Sequence, residues 1–96
     1  MELFSTAVLF VLLSLGGLRF MKTVLVNLNE MAKVQPFVNT LAKFDCDFDL
    51  VSGRYIVDAK SILGVYSLNL SKPIELVIHE TDAIDAIMEA IAPYLA

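Results

Sequence analysis

The stretch Asp58-Ala59-Lys60-Ser61-Ile62-Leu63-Gly64-Val65-Tyr66-Ser67-Leu68 decides how this chain is read. It follows Tyr55-Ile56-Val57, an aromatic and β-branched run of the kind that ends a strand. Ser61 then stands where a helix N-cap belongs, ahead of a short helix over Ile62 to Tyr66. A hydroxyl in that place faces backbone N–H groups that have no helical partner, at the positive end of the helix dipole. A phosphate added to it would meet the same groups. By residue type alone, a plain capping serine is the simpler reading.

Upstream, Ser52-Gly53 reads as a two-residue connection into Arg54-Tyr55-Ile56-Val57, with the glycine supplying the positive φ of a tight hairpin. Phe44 to Val51 alternates, placing Cys46, Phe48 and Leu50 on one face of a predicted strand and Asp45, Asp47 and Asp49 on the other. Val34, Phe37, Val38, Leu41 and Ala42 are spaced as the apolar stripe of a helix. Proline is tolerated where its missing N–H had no helical partner, so Pro36 predicts a start near Ala32 or Lys33. Met21-Lys22-Thr23-Val24-Leu25-Val26 reads as a first strand.

Downstream, Ser71-Lys72-Pro73 turns the chain into a strand over Ile74 to His79. Thr81 or Asp82 is the expected cap of a last helix with Ile84, Ile87, Met88, Ile91 and Leu95 on one face. The order strand, helix, strand, strand, short helix, strand, helix predicts an α+β open-faced β-sandwich. Its four-stranded antiparallel sheet would carry two longer helices and one short helix on one side. The pattern leaves the order of strands in the sheet open.

A chain of 96 residues has room for one domain. Its single cysteine, Cys46, excludes an intrachain disulfide and suits a reducing compartment. A net charge of −4 with no Lys/Arg cluster argues against a nucleic-acid surface and points to protein partners.

The start of the chain differs from the rest. Leu3 to Leu18 is an almost unbroken apolar run, short of the roughly twenty residues a spanning helix needs. It has neither a basic beginning nor a small-x-small cleavage site. The favoured reading is a mis-assigned start. Gly16-Gly17 is what a GGAGG-like ribosome-binding stretch ahead of the Met21 codon would encode. A signal anchor, with Arg19 holding the domain on the cytoplasmic side, is the second reading, and a secreted protein the third. Residues 1–20 are thus an apolar extension and residues 21–96 the domain; dropping Glu2 and Arg19 leaves the charge at −4.

Around Ser61, the pattern Lys60-Ser61-Ile62-Leu63-Gly64-Val65-x-Ser67-Leu68 resembles the regulatory serine segment of HPr, the small phosphocarrier of the bacterial sugar phosphotransferase system. Lys43-Phe44-Asp45-x-Asp47 upstream is similar to Gram-positive members as well. The similarity runs from about Thr40 to Leu68, and more loosely through the last helix. It implies the open-faced sandwich fold, a cytoplasmic protein that is not an enzyme, and no cofactor. It also implies that an ATP-dependent HPr kinase phosphorylates Ser61. Enzyme I, the kinase and transcriptional regulators would dock on the start of the first helix and on the apolar residues of the short helix, here Ile62, Leu63 and Tyr66, with Lys60 beside them.

One departure matters. The family's acceptor histidine lies in Gly-(Leu/Ile)-His-x-Arg-Pro, whereas this chain has Leu28-Asn29-Glu30-Met31-Ala32-Lys33, with Glu30 at the histidine's position and Ala32 at the arginine's in ungapped register. The chain therefore resembles catabolite-repression variants that keep the serine and lose the histidine. The alternatives are a carrier with a non-standard acceptor and a constitutive protein-binding domain, membrane-tethered if residues 1–20 belong to the protein.

Among the remaining candidates, His79 is the only histidine, expected at a strand end with no catalytic part. Glu30 as a mimic of phosphohistidine competes with the simpler reading of an acidic residue in a first helical turn. Asp45, Asp47 and Asp49, about 7 Å apart along a strand, are expected to face water and not to converge on a cation. Cys46, on the opposite face, reads as core. There is no Ser/His/Asp set, glycine-rich phosphate loop or CxxC.

Overall fold

The computed structural model describes residues 20–96. The apolar run and the readings of the start site lie outside these residues. Strand β4 (Ile74–Thr81) forms the middle of the sheet. Ile74, Leu76 and Ile78 are buried while Glu75 between them is exposed, the alternation of a strand with one face in the core. β1 (Phe20–Val26) pairs antiparallel with it, placing Val24 opposite Leu76 and Val26 opposite Ile74. On its other side β2 (Phe48–Ser52) sets Leu50 opposite Leu76. β3 (Tyr55–Asp58) joins β2 as a hairpin and completes the order β1-β4-β2-β3.

Helices α1 (Met31–Leu41) and α3 (Ile84–Ile91) cover the buried face of the sheet. Val34, Phe37 and Leu41 from the first, and Ile87 and Ile91 from the second, reach 0% exposure in one core with Phe48, Leu50 and Leu76. The short helix α2 (Ile62–Tyr66) adds Val65 to that core. The expected α+β open-faced sandwich is the observed fold. Among the described residues no helix is long and apolar enough to cross a membrane.

Several boundaries differ from expectation, each for a local reason. α1 starts at Met31 and contains Pro36, so the Ala32 carbonyl lacks its helical donor; both residues are exposed, which leaves that carbonyl to water. The strand expected from Phe44 begins only at Phe48. Ala42, Lys43 and Phe44 instead donate back to Val38, Thr40 and Leu41, and the following residues complete the reversal out of α1. Ser52 pairs with Tyr55, so the hairpin loop is Gly53-Arg54, with Gly53 at φ +60 as a two-residue turn requires.

At the other end, Thr81 belongs to β4, opposite Phe20, and Ala83 is the N-cap of α3. Thr81 Oγ1 still accepts from the Ala83 N–H at 3.0 Å. Leu95 is not on the face of α3, because the helix ends at Ile91 and Pro93 tightens the chain into a 3-10 turn over Ala92–Tyr94. The tail then closes the outer edge of β1. Asn27 donates to Tyr94 O at 2.7 Å, and Ala96 to Leu25 O at 3.0 Å.

Phe37 ties the two helices to this tail, meeting the Tyr94 ring edge-on at 5.3 Å between centroids. Phe37→Ala is expected to lower unfolding free energy by about 3–5 kcal/mol, read as a fall in the urea midpoint at unchanged slope.

Candidate functional site

The site begins where β3 runs out. Ala59 is buried and its N–H continues the sheet to Phe48 O at 2.9 Å. Asp58 then folds the chain over: its side-chain oxygen accepts from Lys60 N at 2.9 Å and its carbonyl from Ser61 N at 3.0 Å. The Lys60 ammonium reaches back to Phe44 O at 2.6 Å and lies 5.6 Å from the centre of the Phe48 ring. It is half-buried, and its charge is used to hold the turn after α1 against the start of α2.

Ser61 is the N-cap of α2, in extended conformation at φ −94 and ψ 111, with Oγ accepting from Gly64 N at 3.2 Å. The residue is exposed. Gly64 keeps the space beside the hydroxyl open, since a Cβ on it would lie 3.3 Å from Ser61 Oγ and 3.4 Å from Val57 Cβ, close enough that these atoms would have to give slightly. The helix turns Val65 into the core, half-buries Ile62 against it, and leaves Leu63 79% and Tyr66 41% exposed. Ser67 closes the far end by donating from its hydroxyl to Gly64 O at 2.6 Å. The result is an accessible hydroxyl with a backbone donor already on it, one residue or more from two outward apolar side chains.

The first helix, α1, packs against α2. Glu30 is the N-cap at φ −118 and ψ 130, its carboxylate makes no capping hydrogen bond, and it is exposed. Met31 beside it is 72% exposed, and Ala32 has no side-chain donor.

The expected aspartate row is broken up. Asp45 and Asp47 lie in the turn after α1, and Asp49 is on β2. Asp49 does not simply face water: its Oδ2 sits 2.7 Å from Nε2 of His79, on the open face of the sheet. His79 is inside β4 and not at its end. Asp49 is registered opposite Val77, so the pair is diagonal across the two strands. The alternation of its strand turns Asp49 outward, and the register of β2 on β4 brings His79 to it. Asp45, Cys46, Asp47, His79, Glu80 and Asp82 line a cleft of 710 Å³ that does not include Ser61. Cys46 is half-buried against the core. No group of three or more His, Cys, Asp or Glu among the described residues is arranged to hold a metal.

Residues 31–96 match the family model described as the PTS HPr component phosphorylation site. The chain belongs to the HPr family. By that membership it is a protein of the phosphotransferase system and not an enzyme. The fold is similar to the phosphocarrier protein HPr from Bacillus anthracis str. Ames, at TM-score 0.64 and 25% identity over 83% of this chain and 100% of that one. It is also similar to HPr-C-His from Thermoanaerobacter tengcongensis, at TM-score 0.59 and 24% identity over 77% and 88% of the two chains. The HPr match starts at Met31, immediately after Glu30.

Within this HPr fold the anchoring of α2 is expected to rest more on Lys60 than on the cap. Ser61→Ala should cost about 1 kcal/mol, and Lys60→Met about 1.5 kcal/mol or more, because it removes a charged donor from a half-buried carbonyl. Urea unfolding of both variants checks the ranking, and the reverse order would show that the Phe44 contact carries little.

Proposed function

We propose that this HPr-family protein is a regulatory binding module switched by phosphorylation of Ser61, and that it is not a histidine phosphocarrier. The observation that carries the reading is the contrast between two helix starts. Ser61 is exposed with Gly64 N–H on its oxygen, while the α1 start, where the family's acceptor histidine belongs, has Glu30 and Ala32.

In this reading HPr kinase is the donor's enzyme. The Ser61 oxygen attacks the γ-phosphorus of ATP, a new O–P bond forms as the bond to the ADP oxygen breaks, and the hydroxyl proton passes to a base on the kinase. The product carries a charge of about −1.5 to −2 next to Leu63 and Tyr66. Backbone N–H groups of the first turn receive it, since the Lys60 ammonium is held by Phe44. Charge arriving beside an apolar patch changes which protein docks there, whether enzyme I or a transcriptional regulator, as carbon catabolite control would need. The setting is the cytoplasm of a bacterium, with residues 21–96 as the working domain.

A carrier with a non-standard acceptor is favoured by one feature. Asp49 on Nε2 leaves Nδ1 of His79 as the nucleophilic nitrogen. Against it, four carboxylates, Asp45, Asp47, Glu80 and Asp82, line the same cleft with Lys43 as the single Lys or Arg there, a balance that repels a phosphoryl donor. The third reading, a constitutive docking domain, needs no phosphate at all.

Intact mass after incubation with ATP and HPr kinase, and separately with phosphoenolpyruvate and enzyme I, distinguishes the three. One phosphate gained only from ATP and absent in Ser61→Ala is the expected result. A phosphate from phosphoenolpyruvate that disappears in His79→Gln would establish the carrier, and no gain in either would leave constitutive docking. Gly64→Ala is expected to fold and to be phosphorylated more slowly, because its methyl group crowds the Ser61 oxygen.

A further inference from the structure

We infer that the cleft between the β2–β3 hairpin and the chain leaving α2 binds a small phosphomonoester. It is an open groove of about 570 Å³, within the usual range of small-ligand clefts and larger than a bare phosphate requires. No carboxylate lines it, although the protein carries a net charge of −4 and the cleft beside His79 has Asp45, Asp47, Glu80 and Asp82 against a single lysine, Lys43.

Arg54, at the tip of the hairpin, is the one charged residue in the lining. Its guanidinium makes no ion pair or hydrogen bond among the described residues. A free guanidinium fork meets two phosphate oxygens at once, with a geometry an ammonium cannot match. The other side of the cleft is polar in a complementary way. Asn69 Oδ1 is occupied by Ser71 N at 3.1 Å and Ser71 Oγ at 2.7 Å, which leaves the Asn69 amide NH2 to donate. Ser67 uses its proton on Gly64 O, so its oxygen presents lone pairs and suits a ligand hydroxyl. Tyr55, 67% exposed, adds a phenol, and Leu68, 8% exposed, an apolar floor. One cation with a neutral donor, one acceptor and a phenol fit an anion that also carries hydroxyl groups. A polyol phosphate is the simplest molecule of that kind.

The cleft adjoins the end of α2 and does not include Ser61, so the inference stands apart from the phosphoserine reading. Amide NMR titration of the protein with glycerol 3-phosphate, inorganic phosphate and glycerol tests it. Saturable shifts confined to Gly53, Arg54, Tyr55 and Asn69 are expected, tighter for glycerol 3-phosphate than for phosphate, and absent with glycerol. Arg54→Gln, an exposed turn substitution, should weaken binding by about tenfold or more, with Arg54→Lys in between and Ser61→Ala unchanged. The inference is overturned by shifts that do not saturate, that map elsewhere, or that survive Arg54→Gln. Equal affinity for phosphate and glycerol 3-phosphate would overturn the choice of a monoester.

Discussion

Ile74, Leu76 and Ile78 of β4 point to one side of the sheet, and the rest of the chain is arranged to keep water from that side. β4 is central, so strands on both flanks complete its ladder, and both helices cover the single face its alternation buries. The opposite face can then take Glu75, Asp49 and His79 without burying charge. Edge protection follows from the same arrangement. The C-terminal residues bond to β1 at Leu25 and Asn27, on the edge the sheet leaves open.

The Ser61 site inherits its rigidity from this sheet. Ala59 is anchored to Phe48, and Lys60 to Phe44, so the start of α2 is fixed from two sides before its first helical bond forms. A five-residue helix has little stability of its own. Its orientation is set by Val65 and Ile62 packing inward, and that orientation is what turns Leu63 and Tyr66 outward. The exposed apolar pair is therefore a consequence of the core, and a group attached at Ser61 has a defined position relative to it.

Local features of this chain were legible in its residues, and features that depend on register were not. The Ser61 cap, the spacing of Val34, Phe37 and Leu41, and the alternation of β4 each depend on neighbours within a few positions. Phe44 to Asp47 imitated a strand because Phe44 and Cys46 pack inward from a turn with the parity a strand would have given them. Thr81 looked like a cap and is claimed instead by pairing with Phe20, a tertiary demand that outweighs capping chemistry. The His79–Asp49 pair spans thirty residues and the Lys60–Phe44 contact sixteen, and neither has a local signature.

A histidine acceptor and a kinase-modified serine ask different things of a protein, and the two helix starts of this chain differ in what they offer. A histidine acceptor must itself be the nucleophile and needs donors or a cation around it to hold the transferred charge. At the α1 start the exposed Glu30 carboxylate makes no capping hydrogen bond and adds negative charge where a transferred phosphoryl group would have to be held. A serine modified by a kinase needs only exposure, room and backbone donors, because the kinase brings the base and the metal-bound nucleotide. Ser61 has an N–H on its oxygen and, in Gly64, a neighbour without a side chain to obstruct it. The groups at the two helix starts share no residue, so a change at Glu30 leaves the surroundings of Ser61 as they are.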